Sequence, residues 1–304
     1  MFDAVSRETI QIPSVEKGLN LDVWFYKPQG SGPYPVVIAG HGMTAIKEAG
    51  LSAFGEAWAS SAGFASLILD YRFFGDSDGE PRNFLSLKKQ LEDYKSVIKW
   101  ARERPETFRN DKIVVMGSAL SGITVANLLL QDPGLAAGMA HCPLLDGYST
   151  LLALPFNVRL GFWAIVDYVR GKLGLSPVFI PAVGEPDTFA VLNTPSAKPG
   201  FEGMLAQGNK RISDTLNIVP ARIIIEFMGA RLGRNLKDAH SKYLIVLAQE
   251  DDIFPNRIAR EVAAAAPEKV ILVEAPGGHF EIMEGGKGFE ININAQISFL
   301  RELL

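Results

Sequence analysis

The sequence predicts an α/β protein: a doubly wound, mostly parallel sheet into which one helical segment is inserted. Short apolar runs of strand length alternate with longer stretches of helical periodicity. The alternation then breaks off between Asp146 and about His240, where Pro/Gly-broken and helical sequence intervenes before strand-like runs resume. With 304 residues, 47% hydrophobic content and 18 Phe, the chain is long enough to bury a substantial core.

The elements follow in order. Residues 9–12 and 21–26 alternate with period two, which predicts an antiparallel start. Strands are expected over residues 35–40 and ending near Asp70 and Met116, separated by amphipathic helices near residues 54–61 and 87–102. Beyond the insertion, residues 243–248 are a short apolar run that reads as a buried parallel strand, and residues 270–274 read as the next strand. A structureless loop as long as the intervening segment is improbable in a compact domain. We therefore expect a core formed by residues 1–147 and 241–304, with residues 148–240 as a helical cap.

The most informative stretch is Val114-Val115-Met116-Gly117-Ser118-Ala119-Leu120-Ser121-Gly122, which has the form of a strand-turn-helix nucleophile elbow. Its centre falls on Ala119. We read Ala119 as a replaced serine, the alternative being a natural protein that lost its nucleophile and kept the pocket. Ser118 lies one residue early and should face back toward the sheet, and Ser121 should fall inside the first turn of the helix.

Acid and base candidates follow in chain order. The run 243–248 leads into Gln249-Glu250-Asp251-Asp252-Ile253-Phe254-Pro255, and a carboxylate just past a strand end suits a triad acid. Asp251 stands four residues before Pro255 and is preferred to Asp252. The run 270–274 leads into Pro276-Gly277-Gly278-His279-Phe280, which places the imidazole of His279 on a glycine-loosened loop. Singly, such an Asp is more often a turn residue and such a His a loop residue. Together the three lie at the C-terminal ends of strands, the edge where open α/β sheets bind ligands. The early strand ends in His41-Gly42-Met43, so backbone N–H groups of Met43 and Leu120 are the expected oxyanion donors. His41 either shapes the pocket or packs beneath the loop.

Composition excludes other classes. The net charge of −4 leaves no basic footprint for nucleic acid, and neither a zinc-type Cys/His spacing nor a phosphate-binding glycine loop is present, so no metal or cofactor is expected. A single cysteine, Cys142, rules out an internal bridge, fits either a reducing, cytoplasmic compartment or indifference to redox, and reads as a buried structural thiol. The first residues lack the pattern of a signal peptide. The most apolar long window, residues 151–169, contains Arg159 and Asp167, which favours a cap helix over a membrane span. The cap offers Phe156, Phe162, Trp163, Tyr168, Phe179, Phe189, Met204, Phe227 and Met228, enough to line a pocket for a small hydrophobic substrate. Most of these should simply hold the cap down. Substrate contacts are expected from His41, Phe162, Trp163 and Met204.

Four stretches carry a family resemblance: residues 41–48, residues 70–82, the elbow, and Gly277-Gly278-His279-Phe280-Glu281-Ile282. With them the chain resembles the α/β-hydrolase superfamily, and within it dienelactone-hydrolase-like or acyl-peptidase-like serine hydrolases, a group that includes fungal polyketide-pathway hydrolases and acyltransferases. The resemblance implies the α/β-hydrolase fold and cleavage of an ester, lactone or thioester of a hydrophobic substrate, such as a polyketide-derived or carrier-protein-bound acyl group. Acyl transfer through the same acyl-enzyme, or binding and proton transfer centred on His279, are the alternatives. The loop at residues 70–82 is expected to be structural rather than catalytic.

Overall fold

The computed structural model describes residues 5–153 and 157–304. Residues 1–4 and Phe156 lie outside it. The chain runs β1 (Ser6–Pro13), β2 (Asn20–Lys27), β3 (Tyr34–Gly40), α1 (Ser52–Ala62), β4 (Ala65–Leu69), α2 (Leu87–Arg102), β5 (Phe108–Ser118), α3 (Ser121–Gln131) and β6 (Ala137–His141). There follow α4 (Gly147–Ala153), α5 (Val158–Lys172), β7 (Phe179–Pro181), α6 (Ala197–Gln207), β8 (Ile218–Pro220) and α7 (Ile223–Gly229). The chain closes with β9 (Lys242–Ala248), α8 (Asn256–Ala265), β10 (Val270–Ala275) and α9 (Phe289–Arg301).

Eight strands form one sheet in the order β1-β2-β4-β3-β5-β6-β9-β10. The β1–β2 and β2–β4 pairs are antiparallel and every pair from β4 onward is parallel. Parallel central strands covered on both faces have no solvent side, which is why β3, β4 and β6 are buried at every residue. Edge strand β1 is mostly exposed. Helices α1 and α9 pack together on one face, and α2 with α3 on the other. In α2 the buried residues Gln90, Asp93, Tyr94, Val97, Ile98 and Ala101 recur at the three- and four-residue steps of a single helical stripe.

The segment between β6 and β9 is helical, as its patterning predicts, and also holds a short β7–β8 antiparallel pair that the sequence did not announce. Asp167, one of the two charges in the apolar window, is buried on α5 and receives the Arg222 side chain at 2.7 and 2.9 Å, along with the backbone N–H groups of Val178 and Arg222. Its carboxylate thus joins α5 to the segments before β7 and α7. Among the described residues, no helix is long and apolar enough to cross a membrane.

Beneath the C-terminal ends of β3 and β4 lies an ion cluster. The Lys47 ammonium is fully buried, 2.6 Å from Asp70, 3.0 Å from Asp22 and 3.2 Å from Asp76. Asp70 also accepts the backbone N–H groups of Lys47 and Asp76, so it ties the loop after β3 to the turn after its own strand. Nearby, buried Arg72 donates to Asp93 at 2.7 Å. Residues 70–82 therefore serve as a scaffold. Breaking a buried pair by removing one partner strands the other charge. Lys47→Met should cost about 3–5 kcal/mol, read as a lower midpoint in denaturant titration. A loss below about 1 kcal/mol, the scale of an exposed pair, would contradict the scaffold role.

Candidate active site

The turn between β5 and α3 is the sharpest feature of the sheet edge. Ala119 has φ +49°, in the left-handed region that L-residues other than Gly, Asn and Asp seldom occupy. Strain of this kind persists only where surroundings impose it. Here Ala119 N–H donates to His141 O at 3.0 Å, while Ala119 O accepts from Gly122 and Leu144 N–H groups, each at 3.0 Å. A Cβ on Gly117 would stand 2.5 Å from the Ser121 carbonyl oxygen, so that position tolerates only glycine. The result is a strained elbow whose apex presents a methyl group.

Neither flanking serine can serve in its place. Ser121 is fully buried, donating its one proton to the His41 carbonyl and accepting from Tyr71 Oη at 2.6 Å. Ser118 Oγ is engaged by His141 Nε2 at 2.8 Å on the neighbouring strand.

Five strand ends converge on the apex because the parallel register aligns them: Gly40 pairs with Gly117, Ser118 with His141, His141 with Val246, and Ala248 with Ala275. Past β9, Asp251 Oδ1 accepts the N–H groups of Ile253 and Phe254 at 2.8 and 2.9 Å, leaving Oδ2 for His279 Nδ1 at 2.8 Å. Burial pushes the Asp251 carboxyl upward, but His279 and these two N–H groups outweigh it and hold the group below its usual range. Asp252 turns away and binds Ser196. Past β10, Glu281 accepts the Gly278 N–H at 2.8 Å, which fixes the loop, while Phe254 and Phe280 stand edge-on to the His279 ring. With Nδ1 given to Asp251, Nε2 is left for the cavity.

The loop after β3 supplies the opposite wall. A Cβ built on Gly42 would lie 3.3 Å from that of Ala119, so this backbone runs in contact with the apex. Among the described residues, the backbone N–H groups of Met43 and Leu120 meet no acceptor. Two unspent donors beside the elbow are what a developing oxyanion requires. His41 is buried, with Nδ1 2.9 Å from the Gly42 carbonyl and its ring edge-on to Tyr71 and Phe74. Burial pushes it down to about 3, which keeps it neutral. It shapes the loop and also lines the cavity.

The cavity above Ala119, together with the open space at its mouth, amounts to about 720 Å³. Its apolar wall includes Leu51, Leu192, Phe201, Met204, Phe227 and Met283. Met204 is where the sequence reading expects a contact. Phe162 and Trp163 do not line it: Phe162 is 58% exposed on the outer side of α5, and Trp163 is half-buried against the core. An aromatic content that suits a pocket does not specify which helix face turns inward. Sequence reasoning missed His141 and the cavity-facing position of Cys142. Cys142 follows β6 directly with φ +43°, and burial together with Asp251 pushes its thiol well above the usual range, so it carries no thiolate. A positive-φ residue after an apolar strand gave no motif to read.

Comparison with known proteins follows the same lines. Residues 17–154 match the family model of X-Pro dipeptidyl-peptidase (S15 family). The quorum-quenching protein AidA of Acinetobacter baumannii is 31% identical over 92% of this chain and 90% of its own. The polyketide transferase af380 of Aspergillus fumigatus is 26% identical over 99% of each chain. Among solved structures, the α/β hydrolase GrgF from Penicillium superposes with a TM-score of 0.74 at 21% identity, covering 98% of each chain, a likeness of fold.

Proposed function

The chain belongs to the α/β-hydrolase superfamily, in a branch shared with AidA and a fungal polyketide transferase, and from that premise we propose that its site is built for acyl chemistry on an ester, lactone or thioester of a hydrophobic substrate. One observation carries this reading: a left-handed elbow apex shares a cavity with an Asp251–His279 pair and with the two unspent N–H groups of Met43 and Leu120. A serine at the apex would attack the carbonyl carbon, His279 Nε2 would take its proton and later return it to the leaving group, and Asp251 would keep the imidazole in the required tautomer. Met43 and Leu120 N–H groups would hold the oxyanion.

With alanine at the apex, the chain is a binder that holds substrate without turning it over. Covalent labelling of Ala119→Ser, but not of the Ala119 protein, by a fluorophosphonate is the direct test. A labelled Ala119 protein would show that another residue is the nucleophile.

Acyl transfer is the second reading, and the apolar lining favours it: a cavity walled by Leu192, Phe201, Met204 and Phe227 disfavours water as the second nucleophile. Product analysis of Ala119→Ser with and without an alcohol or amine acceptor separates the two. Exclusive release of free acid at high acceptor concentration assigns hydrolysis.

The same lining sets chain length. In the Ala119→Ser background, Met204→Trp should shorten the longest p-nitrophenyl acyl ester turned over, because filling the cavity displaces the acyl tail. An unchanged chain-length profile would place the tail elsewhere.

A further inference from the structure

Five buried side chains form a hydrogen-bond chain from behind the sheet to the cavity floor. Trp58 Nε1 lies 3.0 Å from Gln296 Oε1, and Gln296 Nε2 lies 2.8 Å from Asn292 Oδ1. Asn292 Nδ2 lies 3.0 Å from the Ile282 carbonyl and 3.3 Å from His141 Nδ1, and His141 Nε2 lies 2.8 Å from Ser118 Oγ. Two members have only one option: an indole N–H donates and a backbone carbonyl accepts. Gln296 must therefore turn its oxygen toward Trp58 and its amide nitrogen toward Asn292. Asn292 must turn its amino group toward Ile282 and His141. His141 Nδ1 is consequently an acceptor, its proton sits on Nε2, and it donates to Ser118 Oγ. Burial and the neighbouring His279 push His141 down to about 3, so it stays neutral.

This polarity has a consequence for Ser118. His141 cannot take the Ser118 proton, so the pair does not make a second nucleophile. Ser118 keeps its own O–H, for which the described residues offer no acceptor, and both Ser118 and His141 line the cavity. A wall that is otherwise almost wholly apolar thus holds one hydroxyl, which already accepts from His141 and is left with a proton to give.

We propose that Ser118 is a specificity-determining donor that selects acyl chains carrying a second oxygen near the reacting carbonyl. The proposal rests on the acyl reading above. Ser118 immediately precedes the apex, one Cα–Cα step of about 3.8 Å along the backbone, and lines the same cavity as Ala119. That places it to meet an oxygen two or three bonds from that carbon. A chain without such an oxygen leaves the buried donor unpaired, and discrimination by unpaired polar groups is stronger than discrimination by an added methylene.

Two measurements test this. In ¹⁵N-histidine-labelled protein at neutral pH, the His141 ring, identified by its response to Ser118→Ala, should show Nε2 protonated and Nδ1 bare; the reverse tautomer overturns the proposal. By calorimetry, the Ala119 protein should bind 3-oxooctanoyl-N-acetylcysteamine five- to tenfold more tightly than the octanoyl thioester. Ser118→Ala should shrink that preference to within twofold, and Ser118→Thr should retain it. Equal binding of both thioesters, or a preference unchanged in Ser118→Ala, overturns the subsite alone. Binding of neither overturns the acyl reading along with it.

Discussion

Ala119→Ser is expected to raise turnover of an activated ester or thioester by about a millionfold, the difference typically seen when the nucleophile of a serine triad is present rather than absent. The magnitude follows from cooperation. Asp251 and His279 already form a 2.8 Å pair, and the elbow already holds its left-handed turn, so one oxygen atom completes a unit whose other parts gain nothing without it. The cost of the change in fold stability should be small, since the apex faces a cavity and not packed core. Stopped assays with a p-nitrophenyl ester and a thioester, alongside fluorophosphonate labelling, measure the gain. If the serine variant neither labels nor turns over an ester, thioester or lactone while the Ala119 protein converts a substrate by itself, proton transfer by His279 replaces the nucleophilic reading.

In the Ala119→Ser background, Asp251→Asn should then lower kcat by about ten-thousandfold. The carboxylate receives His279 Nδ1–H and two backbone N–H groups. An amide in its place offers the imidazole a donor as readily as an acceptor, and the wrong tautomer leaves Nε2 protonated and unable to accept from the nucleophile. KM should change far less than kcat, because Asp251 orients the base without reaching the acyl pocket. Asp252→Asn is the control and should stay within a few-fold of the parent, since Asp252 binds Ser196 instead. The Asp251 carboxyl is held below its unfolded value, so by linkage its contribution to stability is fully present above about pH 4 and is lost as pH falls through the lower folded value. Asp251→Asn should accordingly flatten the acid limb of the stability curve in that window. An acid limb as steep as that of the parent would mean that other carboxylates govern it.

The central strands, the first two helices of the sheet layers and the order of elbow, acid and histidine were legible in the sequence, because each is written in a short window. A continuous apolar run such as 243–248 suits a strand covered on both faces, and the Gly117–Ser118–Ala119 turn reports its own backbone. The choice of Asp251 over Asp252 rested on turn spacing, again a local matter. What the windows lacked was the identity of partners across the fold. Nothing in residues 41–48 announces the burial of Lys47, which is decided by Asp22 on β2 and Asp70 just past β4 closing around it. Phe162 reads as pocket-lining until α5 turns it to solvent. The line from Trp58 to Ser118 joins α1, α9, β6 and β5, and the direction of its protons exists only once all five side chains are in place. Periodicity fixes which residues of an element share a face; only packing decides what that face meets, and the polar consequences of burial follow from the neighbour and not from the residue.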